Sequence, residues 1–424
     1  MNILTVTNYF PPFHGGGYGL QMGWFCDRLA ERGHAMTVLT SGSDSRPSTS
    51  ERSAFPVQRS LSTLDQRNIS TRELNARTIR NRNSVKKAIR DLCPDIIFCG
   101  GFDGLGFNTY LAAIESDTPS YTWLGDTWLG QAWRDLPRYD AWVGLASGAG
   151  NGGLRRAVKR AIGFYGRLRG LSAGHPPRSF GSVGTLSQFV LDDLRSAQAP
   201  VSEDARVIGG NLHPAFFRAD GEPIGHSGIR TPELRALFVG RMELLKGPDT
   251  AIRGVAAAVS NGANIRLTFA GIRIDELRPQ LMEMATSLGV SDRITFAGTP
   301  ELNELISLYR NHDVFLFPSR IVEGLGMVNA EALACGLPII GTAHSGSAEV
   351  ILHEKSGYRI DKEDFEGMGQ YLARLHSDRN LLQQLSDNAP EYARRFAPDK
   401  VIDALESELY KAAGRTSPKA DRPR

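Results

Sequence analysis

Short apolar runs alternate along this chain with stretches of helical spacing. "NILTVT" (Asn2–Thr7) is rich in β-branched and aliphatic residues and predicts a first strand. A glycine-rich stretch, "PPFHGGGYG", follows, and then "LQMGWFCDRLAERG" predicts a helix closed by Gly33 as a C-cap. "AMTVLTS" predicts the second strand, with further strands at "PDIIFCG" (94–100) and "PSYTWLG" (119–125). The rhythm restarts at "RALFVGR" (235–241), with a helix over 249–260, strand "RLTFAG", a helix over 275–288 and strand "RITFAG". A helix over 301–310 and strand "DVFLFPS" come next. A helix from about Met327 to Ala334, closed by Gly336 and Pro338, leads into strand "LPIIGT". Strands alternating with helices predict parallel sheets covered by helices, so the fold class is α/β with two doubly wound, Rossmann-like domains.

A length of 424 residues fits two domains better than one. The stretch "IGGNLHPAFFRADGEPIGHSG" (208–228) is rich in Gly, Pro and His and suits a linker. The expected organisation is a domain over 1–210, a linker over 211–230, a second domain over 231–395 and a disordered charged tail over 416–424. Composition, 41% hydrophobic and 22% charged, is that of an ordinary soluble globular protein. Residues 1–215 hold 24 Lys+Arg against 18 Asp+Glu, and the remainder holds 25 against 28. This hints that the amino-terminal half meets something anionic, but the asymmetry is too mild for nucleic acid. Cys26, Cys93, Cys99 and Cys335 lack metal-ligand spacing and suit free thiols in a reducing cytoplasm. The first residues carry no basic n-region, and no apolar run approaches the roughly 18–20 residues needed to cross a bilayer. A cytoplasmic location is the expectation.

Two places carry candidate chemistry. In "FVGRMELLKGPDT", Arg241 and Lys246 lie just past a strand, between Gly240 and Gly247. Ligands of open α/β sheets sit outside the carboxyl ends of strands, and two cations there suit a phosphate or diphosphate. In "SRIVEGLGMVNAEALACGLPII", Glu323 stands beside the turn Gly324-Leu325-Gly326, and Glu331 lies about one turn into the following helix. The glycines let backbone approach a ligand, and a helix amino terminus offers N–H groups to anionic oxygen. Carboxylates accept pairs of sugar hydroxyls, although a lone helical Glu is also an ordinary surface residue.

The run "PSRIVEGLGMVNAEALACGLPIIGTAHSGSAEVILHEKSGY" resembles the retaining, nucleotide-sugar-dependent glycosyltransferases of the GT-B fold, glycosyltransferase family four. It follows their Glu, seven residues, Glu signature. "GRMELLKG", "HPAFF" and "GGGYG" agree in order, so the resemblance covers nearly the whole chain. It implies two domains facing across a cleft, with a carboxyl-terminal helix, 396–415, packing back on the amino-terminal domain. It further implies that Arg241 and Lys246 bind the donor diphosphate, and that Glu323 and the amides of Gly324, Leu325, Gly326, Met327 and Val328 hold the transferred sugar. Glu331 would hold the ribose, and the loop with Gly16 and Gly17 would approach the diphosphate and the acceptor. The implied donor is a nucleotide sugar, a UDP- or GDP-sugar first, and the implied acceptor is a glycan or lipid-linked glycan of polysaccharide or cell-envelope synthesis. No cofactor and no metal are expected, since the chain has no Asp-x-Asp and the two cations can neutralise the leaving diphosphate.

The pattern departs in two places. Where relatives often show His-Asp, "TWLGDTW" has Gly125 before Asp126, so Asp126 is either a base or positioning group or a turn residue. "AGIRID" lacks a second glycine. A binding-only relative is the rival reading. A dinucleotide oxidoreductase is weaker, because Leu20 falls where the third fingerprint glycine belongs. Two basic stretches, 67–90 and 141–191 (with 155–169 at its centre), are either solvated helix faces or a peripheral contact with anionic membrane.

Overall fold

Strands made of Ile, Val, Leu and Phe with no polar face must be covered on both sides, and both sheets of this protein are. The computed structural model describes residues 1–13, 16–42, 53–64, 70–134, 177–227 and 232–417. They form two units, Met1–Ile208 joined by the residues from Ile402 on, and Gly209–Val401.

Unit 1 holds seven parallel strands: β1 (Asn2–Val6), β2 (Ala35–Ser41), β3 (Val57–Leu61), β4 (Ile96–Gly100), β5 (Ser120–Leu124), β6 (Ser182–Thr185) and β7 (Arg206–Val207). Their order is β3-β2-β1-β4-β5-β6-β7. Ile3 is in register with Met36 on one side and Ile96 on the other, so strand order reverses between β1 and β4. The described helices of this unit are α1 (Gly17–Glu31), α2 (Thr71–Leu92), α3 (Phe107–Ile114), α4 (Trp128–Arg134) and α5 (Gln188–Ser196).

Unit 2 repeats the plan with six parallel strands: β8 (Leu234–Val239), β9 (Ile265–Ala270), β10 (Ile294–Phe296), β11 (Val314–Phe317), β12 (Ile339–Thr342) and β13 (Gly357–Ile360). The order is β10-β9-β8-β11-β12-β13, with the reversal between β8 and β11. Its helices are α6 (Pro248–Ser260), α7 (Ile274–Ser287), α8 (Leu302–Asn311), α9 (Met327–Ala334), α10 (Phe365–Ser377) and α11 (Arg379–Ala393). The last helix of the chain, α12 (Pro398–Ala412), lies against unit 1 from Ile402 on.

Several features differ from the sequence reading. The stretch expected to be a linker is folded onto unit 2. Phe216 is buried edge-on against Tyr309, the Leu212 amide donates to the Phe396 carbonyl at 3.0 Å, and the Gly225 amide donates to the Ala334 carbonyl at 2.9 Å. Its apolar residues and backbone groups find partners there, which a count of Gly and Pro does not register. The strands β3, β6 and β7 were also not anticipated. β3 ("VQRSL") alternates with exposed polar residues as an outermost strand. α2 is the basic stretch after 67, and several of its cations have acidic partners: Arg77 and Arg80 on Glu73, Arg82 on Glu115 and Lys87 on Asp91. Residues 155–169 lie outside the described residues, as do residues 418–424 of the tail. Among the described residues no helix is long and apolar enough to cross a membrane.

α12 is held by ion pairs as well as by Leu405 and Leu409, both buried. Arg32 donates to Glu406 at 2.8 Å and pairs with Asp403 at 2.6 Å, while the His34 ring lies 2.9 Å from the other Glu406 oxygen. Burial pushes the Glu406 carboxyl up, but hydrogen bonds from His34 and Arg32 outweigh it and hold the group below its ordinary value. Breaking a buried ion pair on one side costs about 3–5 kcal/mol. Glu406→Ala is therefore expected to destabilise unit 1 by that order, read as a lower urea midpoint. An unchanged midpoint would refute the role given to this anchor.

Candidate functional site

The site in unit 2 begins where two loops leave the adjacent strands β8 and β11 at the point of reversed strand order, where open α/β sheets bind ligands. After β8 the chain passes Gly240 and Arg241 into a single 3-10 turn, Leu244–Lys246, and then Gly247. Gly247 has φ 77°, and a Cβ there would stand 2.1 Å from the Pro318 carbonyl oxygen, so only glycine fits. Arg320 fastens the two loops. Its amide donates to the Leu245 carbonyl at 2.8 Å, and its guanidinium donates to both oxygens of Asp249 at 2.8 and 2.7 Å and to Thr250 Oγ1 at 2.9 Å.

That junction brings Lys246 Nζ onto Glu323 Oε1, which also accepts from Ser319 Oγ at 2.9 Å. The two paired side chains are only 17% and 14% exposed, so water screens them less than a surface pair. The Glu323 backbone is fixed as well: its amide donates to Ser345 Oγ at 3.1 Å and its carbonyl accepts from the Gly346 amide at 3.0 Å. Arg241 is 40% exposed, with the Glu243 carboxylate 3.9 Å away.

Beyond Glu323 the chain turns through Gly324, Leu325 and Gly326 (φ 73°) into α9, whose first residues are Met327 and Val328. Leu325 is buried. The first turn of a helix leaves its amides without intrahelical acceptors and carries the positive end of the dipole. Glu331 follows one turn later. Its Oε2 accepts a hydrogen bond of 2.8 Å from the hydroxyl of Tyr309, a buried residue of α8. Burial pushes the Glu331 carboxyl up to about 7, and the Tyr309 hydroxyl opposes only part of that rise. The two glutamates thus stand in opposite electrostatic settings, Glu323 against a cation and Glu331 against a neutral donor.

The remaining candidates lie in unit 1. Gly16 (φ 138°) precedes α1, and Gly17 is its first residue. A Cβ on Gly17 meets no atom within 4 Å, so internal packing does not demand glycine there. Asp126 follows β5, and its Oδ1 accepts from the Trp128 amide at 3.0 Å at the start of α4. That bond closes a short Asx-type turn at the entry to α4. Burial raises the Asp126 carboxyl to about 7, and the nearby Asp103 charge pushes the same way. The sequence reading did not pick out Tyr309, Arg320, Asp249, Ser319, Ser345 or Tyr18. Arg320 and Ser319 sat inside the quoted motif. For Tyr309 no local signal exists.

Residues 224–392 match a family model described as "Glycosyl transferases group 1". They are a domain of that family. The chain is 32% identical over 225 residues to a D-inositol 3-phosphate glycosyltransferase of Acidothermus cellulolyticus, a match covering 51% of this chain and 49% of that one. It thus spans about half the length of the curated relatives it matches. Sucrose-phosphate synthase of Thermosynechococcus elongatus has a similar structure, with a TM-score of 0.68 at 17% identity over 97% of this chain and 98% of the other. So does HepE of Anabaena in complex with UDP and glucose, with a TM-score of 0.64 at 15% identity over 96% and 99%. The chain has their two-domain GT-B fold. The matched residues lie within unit 2 and include Arg241, Lys246, Glu323 and Glu331.

Two predictions follow from the geometry of this domain. Arg320→Ala leaves Asp249 buried without its bidentate partner, a loss of about 3–5 kcal/mol. Arg320→Lys is expected to rescue little of it, because an ammonium cannot reproduce the fork. Denaturant midpoints of the two variants test this, and a near-parental Arg320→Ala midpoint would contradict it. Glu331 supplies the second. Its folded-state value lies above the ordinary 4.5, so the folded protein binds more protons between 4.5 and about 7, and stability falls as pH rises through that window. Glu331→Gln should flatten that part of the stability profile. A profile with the parental slope would mean the carboxyl is not raised.

Proposed function

We propose that this protein is a retaining glycosyltransferase that moves a sugar from a nucleotide-sugar donor, a UDP- or GDP-sugar, to a glycan or lipid-linked acceptor. The observation that carries this reading is the pair of glutamates flanking the start of α9, one held by Lys246 and the other by Tyr309. Support also comes from the family of unit 2 and from the UDP and glucose in the HepE complex.

In this reading Arg241 and Lys246 bind the diphosphate, and the amides from Gly324 to Val328 with Glu323 hold the transferred sugar. Binding the diphosphate draws Lys246 toward phosphate oxygen and leaves Glu323 to accept sugar hydroxyls. The bond from the anomeric carbon to the diphosphate oxygen breaks, and its electron pair leaves with the diphosphate, whose charge the two cations neutralise. Retention requires the acceptor hydroxyl to bond to the anomeric carbon from the face the diphosphate leaves. Its proton is then beside the departing phosphate oxygen and passes to it. Glu323 favours the positive charge that develops on the sugar ring. Glu331 holds ribose hydroxyls, which do not change during the reaction, and Asp126 and the Gly16–Gly17 turn serve the acceptor side. The reaction as drawn uses no metal and no further cofactor.

Steady-state kinetics separate the glutamates. Glu331→Ala should raise the donor KM by on the order of ten- to a hundredfold, the equivalent of a charged hydrogen bond of about 1.5–3 kcal/mol. Glu323→Gln keeps the hydrogen bonding and drops the charge, so turnover should fall more than donor affinity. Intact turnover in Glu323→Gln, with Glu331→Ala inactive at saturating donor, would reverse the assignment. Binding of nucleoside diphosphates with no hydrolysis or transfer of any nucleotide sugar would replace the enzyme with a binding protein. For the acceptor side, basic residues 155–169 predict vesicle binding that needs anionic lipid and fades with salt. Equal binding to neutral and anionic vesicles, or none to either, would return these basic residues to a solvated face.

A further inference from the structure

Gly125 follows β5, beside Asp126, and the space a side chain would need there is already occupied. A Cβ on Gly125 would stand 2.9 and 3.0 Å from two ring carbons of Tyr18 and 3.1 Å from the Trp123 indole. The backbone at Gly125 is not left-handed, so space and not conformation excludes a larger residue. Tyr18 is the second residue of α1, directly after Gly16 and Gly17. Its ring meets Trp123 edge-on with centroids 5.1 Å apart, and its hydroxyl donates to the Trp123 carbonyl at 2.6 Å. The same ring bounds Gly101, where a Cβ would lie 3.1 Å from it. One side chain from the helix after β1 therefore spans the ends of β4 and β5, across the point where strand order reverses.

Asp126 is the next residue and its charge acts on the Tyr18 hydroxyl, so a ring packed on Gly125 covers the approach to that carboxyl from the side of α1. The Tyr18 hydroxyl is itself pushed well up, by burial first and by the Asp126 charge second, so it remains a neutral donor. The groups that act on Asp126 are Asp103 after β4 and the Trp128 amide of α4, while Asp126 and the buried Cys99 thiol of β4 both act on the Tyr18 hydroxyl from α1.

We propose that Tyr18 is a positioning residue that takes, from α1, the place of a side chain at position 125, walling Asp126 and pinning the Gly16–Gly17 turn to the end of β5. The assignment of this wall to acceptor handling rests on the glycosyltransferase reading. The spatial exchange between positions 18 and 125 does not.

The test uses the full chain with Gly125→Ala, Tyr18→Ala, the double variant and Tyr18→Phe. Gly125→Ala is expected to lower the denaturant midpoint in the parent and to be tolerated once Tyr18→Ala has opened the space. Carbon-13 NMR of the Asp126 carboxyl should show its titration midpoint falling in Tyr18→Ala as water enters, and staying near the parental value in Tyr18→Phe, which keeps the ring. Turnover in Tyr18→Ala should drop on the order of 10²-fold through lost orientation, with nucleoside diphosphate affinity unchanged. Equal destabilisation by Gly125→Ala in both backgrounds would overturn the exchange of space, and an unmoved Asp126 titration in Tyr18→Ala would overturn the wall. A parent that binds nucleoside diphosphate but turns over no donor would defeat the glycosyltransferase reading alone, and the stability cycle and the titration would still decide the proposal for Tyr18.

Discussion

The backbone of Gly247 lies against the carbonyl of Pro318, and the site in unit 2 depends on that approach. Two loops from neighbouring parallel strands can come this close only where one of them has no side chain. Arg320 then fastens them with a guanidinium that meets Asp249 through two parallel hydrogen bonds. Lys246 and Glu323, 77 residues apart in sequence, become an ion pair because their backbones are already positioned. Without such fixing, two flexible side chains on separate loops lose as much in entropy as they gain by pairing.

The second consequence is an unequal treatment of identical groups. Glu323 sits against a cation and the Ser319 hydroxyl, while Glu331 has a buried phenol for a partner and an elevated carboxyl. Asp126 in unit 1 is raised in the same manner by burial, with Asp103 adding to it. A carboxylate paired with a cation can exchange partners when an anion arrives. A desolvated carboxylate with one neutral donor gains more from each further hydroxyl that reaches it. Environment, more than residue type, assigns the roles proposed for them.

Aromatic side chains supply the supporting structure in both units. Tyr309 joins α8 to Glu331 and packs on Phe216 and Phe315. Tyr18 does the corresponding work in unit 1, with its ring over Gly125 and its hydroxyl on the Trp123 carbonyl. In each case an aromatic body fills space while a single polar tip fixes an orientation. The segment 211–227 became part of unit 2 by the same means, through Phe216 and a few backbone hydrogen bonds.

The strand and helix rhythm, the two doubly wound sheets and the bounds of α9 from Met327 to Ala334 were legible in the residues themselves. Periodicity, glycine at a left-handed turn and a Gly-x-Pro stop act over a few neighbouring positions, so local sequence carries them. The order of residues around Glu323 and Glu331 likewise placed both carboxylates after a strand's carboxyl end. Edge strand β3 was not legible, since exposed polar residues interrupt its apolar ones. Nor were the partners: that Glu331 meets Tyr309 22 residues away, that Arg320 meets Asp249 71 away and that Tyr18 reaches the Trp123 carbonyl 105 away. Such contacts are chosen by how sheets and helices pack, and packing depends on the whole chain. Sequence by itself determined the elements and the chemistry on offer, while tertiary structure alone decided which carboxylate meets a cation, which is desolvated and which glycine makes room for another residue's ring.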